Sequence, residues 1–140
     1  MCQGNENQKE QFLPPGSEGN GGKQRMKMSR GEEKVMRAIW YFEEKGEELV
    51  IVSQVLERVN LTCETQWKIP TVSTYLYHLT QKDYLDVRRN GRCIYYRSLI
   101  NQKEYMESLF QDLLSFWFNR DTEVLQEAIE KWNGSNRTEV

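Results

Sequence analysis

The chain has 140 residues, with 19 Lys and Arg against 21 Asp and Glu, one His and three Cys, which is room for about one domain of formal charge −2. No stretch approaches the ~20 consecutive apolar residues that a membrane-spanning helix needs, and Glu6, Lys9 and Glu10 stand where a signal peptide is apolar. Cys2, Cys63 and Cys93 form no Cys-x-x-Cys pair and His78 is the only imidazole, so nothing here indicates a disulfide framework, a metal site, a cofactor or a nucleophile–base pair. The expectation is a cytoplasmic non-enzyme with reduced thiols and no catalytic residues.

Residues 1–28 are mostly Gly, Asn, Gln, Glu and Lys, broken by Pro14-Pro15-Gly16, and only Phe12 and Leu13 bring bulk. Burial that small does not offset the entropy of ordering, so the segment is expected to be a disordered tail. Ser29-Arg30-Gly31-Glu32 then has the Ser-x-x-Glu form of a capping box, and Val35, Met36, Ile39 and Trp40 share one helical face. The helix runs to about Glu44 and stops at Lys45-Gly46. Leu49 to Val52 has the look of a short strand, and Ser53 can cap a short helix carrying Val55, Leu56 and Val59. A polar loop from Asn60 to Ile69, interrupted by Trp67, follows.

The helix that begins near Pro70 has two faces. Val72, Tyr75, Leu76 and Leu79 fall at i, i+3, i+4 and i+7 and predict a buried side. Thr74, Tyr77, His78 and Gln81 repeat that spacing on the opposite side, with Thr71 extending the line. All are hydrogen-bonding groups, and no Asp, Glu, Lys or Arg occurs from Ile69 to Gln81.

After Asp83 the period changes to two. Tyr84–Arg89 and Arg92–Arg97 flank Asn90-Gly91, which predicts a hairpin closed by a type I′ turn. In that register Arg89 opposes Arg92, Arg88 opposes Cys93 and Val87 opposes Ile94. Two facing arginines are unfavourable unless an anion such as phosphate sits between them.

From Asn101 onward the chain reads as helix. Met106, Leu109, Phe110, Leu113, Leu114 and Trp117 form one apolar stripe; after Asn119-Arg120-Asp121 a second helix aligns Val124, Leu125, Ala128, Ile129 and Trp132 before Gly134. That is more apolar area than the preceding elements can cover, and a second copy of the chain is the commonest cover. Residues 101–134 are therefore expected to dimerise, through Met106, Leu109, Phe110, Leu113, Leu114, Trp117, Leu125 and Ile129, with 135–140 a disordered end.

Charge is segregated as well. Residues 23–37 carry net +4 and 63–100 net +3, whereas 38–62 carry −3 and 101–140 carry −4. Two basic stretches between acidic ones suit a surface that meets a polyanion.

Three helices and a hairpin over 29–100, followed by helices, make a mainly α chain with a winged helix-turn-helix head and carboxyl-terminal dimerisation helices. Val35-Met36-Arg37-Ala38-Ile39-Trp40, Thr71-Val72-Ser73-Thr74-Tyr75-Leu76-Tyr77-His78-Leu79, Lys82-Asp83-Tyr84-Leu85 and Gly91-Arg92-Cys93-Ile94-Tyr95-Tyr96 together resemble the penicillinase-repressor and copper-repressor family of bacterial regulators. The resemblance implies a homodimeric repressor on an inverted-repeat operator in double-stranded DNA, with Thr71 and Thr74 on the recognition helix. The chain departs from the family pattern at His78, where Arg is common, and at Asp83, where Gly is usual after the helix. It also lacks the paired carboxyl-terminal cysteines of the copper-responsive branch, and has Phe118-Asn119 rather than the Asn-Phe bond at which the β-lactam-responsive branch is cleaved. An inducing protease or small molecule is thus left unidentified, a pocket among Trp40, Trp117 and Trp132 being one place for the latter. The residues expected to touch DNA are Thr71, Ser73, Thr74, Tyr77 and His78 at bases or nearby phosphates, and Lys68, Arg88, Arg89 and Arg92 on the backbone. The alternative is a winged-helix protein-interaction module that leaves DNA alone.

Overall fold

The computed structural model describes residues 25–137. The chain divides after Gln102 into two compact units. The first, the head, contains α1 (Arg30–Glu44), α2 (Val52–Thr62), α3 (Ile69–Gln81), β1 (Leu85–Asn90) and β2 (Cys93–Ser98). In the second, α4 (Gln102–Asp112) runs on through a π-helical segment, Leu113–Trp117, and is followed by α5 (Thr122–Arg137).

The capping box at α1 forms as expected. Glu32 N donates to Ser29 Oγ at 3.2 Å and Ser29 N donates to Glu32 Oε1 at 3.0 Å, so two otherwise orphaned amides are satisfied. The apolar faces of the three helices meet in one core: Val35, Met36 and Ile39 of α1, Val55 and Val59 of α2, and Val72, Leu76 and Leu79 of α3 are fully buried. Each contributes about 1.5–3 kcal/mol of burial, which is what sets the angle at which α3 presents its other side.

Several local expectations are corrected. Leu49 to Val52 is not a strand; only Val50 pairs, as an isolated bridge to Tyr96. The cap of α2 is Ile51 rather than Ser53, because Gln54 Oε1 accepts from Ile51 N at 3.0 Å and satisfies the entry amide. The turn is displaced by one residue and the hairpin pairing therefore by two: Asn90 pairs with Cys93, Arg89 with Ile94, Arg88 with Tyr95 and Val87 with Tyr96. Arg89 and Arg92 therefore do not face each other, and the hairpin holds no opposed arginine pair that an anion would have to neutralise. Gly91 takes φ 63° at the first central position and Arg92 is not among the positive-φ residues, the type II′ pattern in place of I′. Gly alone needs the mirror-image φ there, so the turn closes one residue later than Asn-Gly predicts.

Asp83 adopts φ 63°, the left-handed conformation that glycine takes without strain. Its N–H donates to Thr80 O at 3.2 Å and Tyr84 N donates to Leu79 O at 3.0 Å, the paired bonds of a Schellman ending. The departure at Asp83 thus leaves the turn intact. Residues 25–28, expected to lie in the tail, pack on the head: Tyr84 Oη donates to Met26 O at 2.7 Å, Arg25 Nε to Asp83 O at 2.7 Å, and Met28 is buried. The rest of the expected tail lies outside the described residues. So do 138–140, while α5 continues through Gly134 into the segment expected to be disordered. Cys63 is a free thiol, as expected. Cys2 lies outside the described residues.

In the second unit Asn119 and Arg120, at φ 50° and 63°, end the π-helical segment. Asp121 Oδ1 then caps α5 by accepting from Glu123 N at 3.0 Å. Among the described residues no helix is long and apolar enough to cross a membrane.

Candidate nucleic-acid interface

The core fixes which side of α3 stays outside. With Val72, Leu76 and Leu79 inward, Thr71, Thr74, Tyr77, His78 and Gln81 are exposed, Ser73 is half-buried, and exposed Lys68 precedes the first turn. Thr74 Oγ1 spends its proton on Pro70 O at 2.9 Å, leaving its lone pairs outward. Tyr75, counted on the buried side, is half-buried and stacks on Trp67 with ring centroids 5.1 Å apart.

The hairpin adds the second half of the site. Val87, Arg89, Ile94 and Tyr96 share one face and, with Tyr77 and Thr80 of α3, line an open hollow of about 290 Å³. Arg89 thus lies beside α3, exposed and with no ion-pair partner among the described residues. Burial pushes the Tyr96 phenol up, against the opposing pull of the Arg89 charge. Arg88 is on the other face, opposite Tyr95, and its guanidinium lies 3.6 Å from the Asp86 carboxylate. Arg92 is exposed at the tip. Of the four expected backbone-binding cations, Lys68, Arg89 and Arg92 are exposed, and Arg88 is held by an acid.

Three supporting groups were invisible as such in the sequence. Asn60 Nδ2 donates to Trp67 O at 3.0 Å while its Oδ1 accepts from Trp67 N at 2.9 Å and Thr65 Oγ1 at 2.7 Å, so one side chain ties down the loop that leads into α3. Glu43 of α1 anchors the end of β2, accepting from Ser98 N at 2.8 Å and Ser98 Oγ at 2.5 Å. Glu32, read only as a cap, is buried and faces α3: Lys82 Nζ donates to its Oε1 at 2.7 Å and His78 Nδ1 lies 3.6 Å from its Oε2. Burial opposes ionisation of Glu32, but the hydrogen bonds from Lys82 and Ser29 and the charges of Lys82 and His78 outweigh it, holding the carboxyl below its ordinary value. Gly31 is what allows α1 to approach this region closely, since a Cβ there would overlap the Tyr75 ring.

Taken by itself, the second unit keeps its apolar stripe in solvent. Met106, Leu109, Phe110, Leu113, Trp117 and Ile129 are exposed, Trp117 by 73%, while Leu114 and Leu125 are half-buried. Among the described residues no group of three His, Cys, Asp or Glu side chains is placed to hold a metal ion.

Residues 28–138 match the sequence profile of the family described as penicillinase repressor. No curated protein matches. Similar solved structures include two of BlaI. One is a solution structure of the monomeric form of Bacillus licheniformis BlaI in complex with the blaP half-operator: 24% identical, covering 59% of this chain and 92% of that one, with a TM-score of 0.45. The other, of the DNA-binding domain of the repressor BlaI, is 25% identical and covers 59% and 93%, with a TM-score of 0.46.

Proposed function

The chain belongs to the penicillinase-repressor family and is a DNA-binding repressor, and from that premise we propose that its head reads one half of an inverted-repeat operator while the helical unit pairs two copies. Thr71, Ser73, Thr74, Tyr77 and His78 meet base edges or nearby phosphates in the major groove, and Lys68, Arg89 and Arg92 hold the sugar–phosphate backbone. Arg88 has a lesser part, because Asp86 already offsets its charge.

The observation that carries this reading is the hollow shared by Tyr77 and Thr80 of α3 with Arg89 of the hairpin, which sets an unpaired cation beside an uncharged, hydrogen-bonding helix face. Phosphate attraction and base readout need those two surfaces side by side. The exposed stripe on α4, the π-helical segment and α5 supports pairing of two chains in the cytoplasm, and two heads on one duplex compensate for the few phosphates each head engages. A protein-interaction module that leaves DNA alone is the weaker reading, given the family.

The test is an electrophoretic mobility assay with the DNA upstream of the protein's own gene, against an unrelated duplex, at several salt concentrations. A shift that prefers the upstream DNA and weakens with salt is expected. Equal retardation of both duplexes, or none, refutes sequence-specific binding.

A further inference from the structure

The single histidine of the chain stands on the exposed face of α3, yet it is not independent of the core. Behind it lies the buried carboxylate of Glu32, whose side chain is 4% exposed. The two carboxylate oxygens are used differently. Oε1 accepts from Lys82 Nζ at 2.7 Å and from Ser29 N at 3.0 Å. No hydrogen bond reaches Oε2 from the described residues, and the imidazole Nδ1 stands 3.6 Å from it. A buried carboxylate oxygen without a direct donor is uncommon, and it attracts the nearest proton available to it. That proton is the one on Nδ1.

We propose that Glu32 is the positioning residue of His78: its Oε2 keeps the Nδ1 proton on the ring, so that Nε2 is the atom turned to DNA and operator binding takes up a proton there. A ring that carries hydrogen on Nδ1 offers a lone pair at Nε2 when neutral and an N–H donor when protonated. The protonated form suits a phosphate oxygen or the acceptor edge of guanine, and it is the form a nearby polyanion favours. His78 thereby replaces the fixed cation that relatives commonly have at this position with one that depends on pH. The groups that face this pair are Lys82 on Oε1 of Glu32, Tyr77 with its ring centroid 6.1 Å from the imidazole, and Tyr84, which feels the charges of Arg25, Glu32 and Glu33.

The inference rests on the reading that this face of α3 meets DNA, and its tests separate the two. Glu32→Gln keeps the capping box, since Gln serves at that position as Glu does, but removes the carboxylate behind the imidazole. The first measurement needs no DNA: nitrogen-15 spectra of the only histidine at about pH 8, where an imidazole is neutral, report which ring nitrogen holds the hydrogen. Wild type is expected in the Nδ1–H form and Glu32→Gln in the Nε2–H form; the Nε2–H form in wild type overturns the proposal. The second is operator affinity between about pH 8 and pH 6, which should rise about threefold to tenfold per head in wild type, the span that up to one unit of altered proton affinity allows. His78→Gln should abolish the rise, Glu32→Gln should diminish it, and the double variant should lose no more than His78→Gln. A rise retained in His78→Gln, or a flat wild-type profile with specific binding intact, overturns the proposal while leaving the DNA reading in place. No specific binding at either pH overturns both.

Discussion

Arg88 and Arg89 are neighbours in sequence with unequal surroundings, and that inequality predicts unequal effects on DNA binding. Arg89 is exposed beside α3 without an acidic partner among the described residues; Arg88 lies on the opposite face with Asp86 at 3.6 Å. Each phosphate of B-DNA that a protein ceases to neutralise changes the slope of log affinity against log salt by about 0.9. In a dimer that sets two wings on the duplex the change is doubled, so Arg89→Ala should reduce the slope by about 1.8. Over a fourfold rise in salt, from about 50 to 200 mM, wild type should then lose about twelvefold more affinity than the variant. Arg88→Ala should change the slope by less than half as much, because its charge is already partly neutralised. The assay is fluorescence anisotropy with a labelled operator duplex at five or so salt concentrations, on wild type and both variants. An unchanged slope for Arg89→Ala, or a larger change for Arg88→Ala, refutes the assignment of the wing.

Four further outcomes follow from the geometry. Asn60→Ala removes three hydrogen bonds from the loop before α3 and should cost about 2–3 kcal/mol in urea unfolding, with weaker operator binding; a loss under about 0.5 kcal/mol means the loop holds without it. Glu43→Ala strands the buried Ser98 and should cost about 2 kcal/mol, whereas Glu43→Gln should recover part of it; equal stability of wild type and Glu43→Ala contradicts the anchor. Leu113→Ser combined with Trp117→Ser should give a monomer by sedimentation and weaken operator binding by at least about a hundredfold, and a dimer of unchanged affinity removes this stripe from the interface. Because the Glu32 carboxyl is held below its ordinary value of 4.5, its ionisation stabilises the fold above that pH, and the gain disappears as pH falls through the lower folded value. Wild type should therefore lose stability over that acid window more steeply than Glu32→Gln, by thermal unfolding between about pH 6 and 3; parallel profiles refute the coupling.

What the sequence disclosed were the features with a local cause. The Ser29–Glu32 box, the Pro70 start and the 3.6-residue spacing of Val72, Leu76 and Leu79 each depend on residues within two turns of one another, and all are present. The hairpin was legible as a hairpin but not in register, because Asn-Gly fits I′ and the Gly91 conformation selects II′; moving the turn by one residue shifts the pairing by two, so Val87, Arg89, Ile94 and Tyr96 still share one face. Alternation along β1, independent of the register, puts Arg89 rather than Arg88 on the face that meets α3. Groups that act over long sequence separations left no trace: Glu32 and Lys82 are 50 positions apart, and Glu43 and Ser98 are 55. No periodicity encodes such pairs, and Glu32 was already accounted for by its cap.

The charge distribution bears on selectivity as much as on affinity. Residues 23–100 carry net +4 while the whole chain carries −2, so the protein as a body gains little from the general attraction that draws basic proteins to any duplex. Non-specific binding is supplied almost wholly by attraction to phosphates, which the proposed function assigns to Lys68, Arg89 and Arg92, of which Arg89 lines the hollow. The outer face of α3, by contrast, has hydroxyls, an amide and an imidazole, groups whose bonds depend on which base edge they meet. A repressor that uses the proposed surface should keep a low background on bulk DNA and depend on groove interactions for its margin. Replacing His78 with Arg tests that balance. A permanent cation should raise affinity for random duplex and for operator alike and so narrow the ratio between them, as read by competition with calf-thymus DNA. An unchanged ratio would show that the imidazole contributes nothing to discrimination.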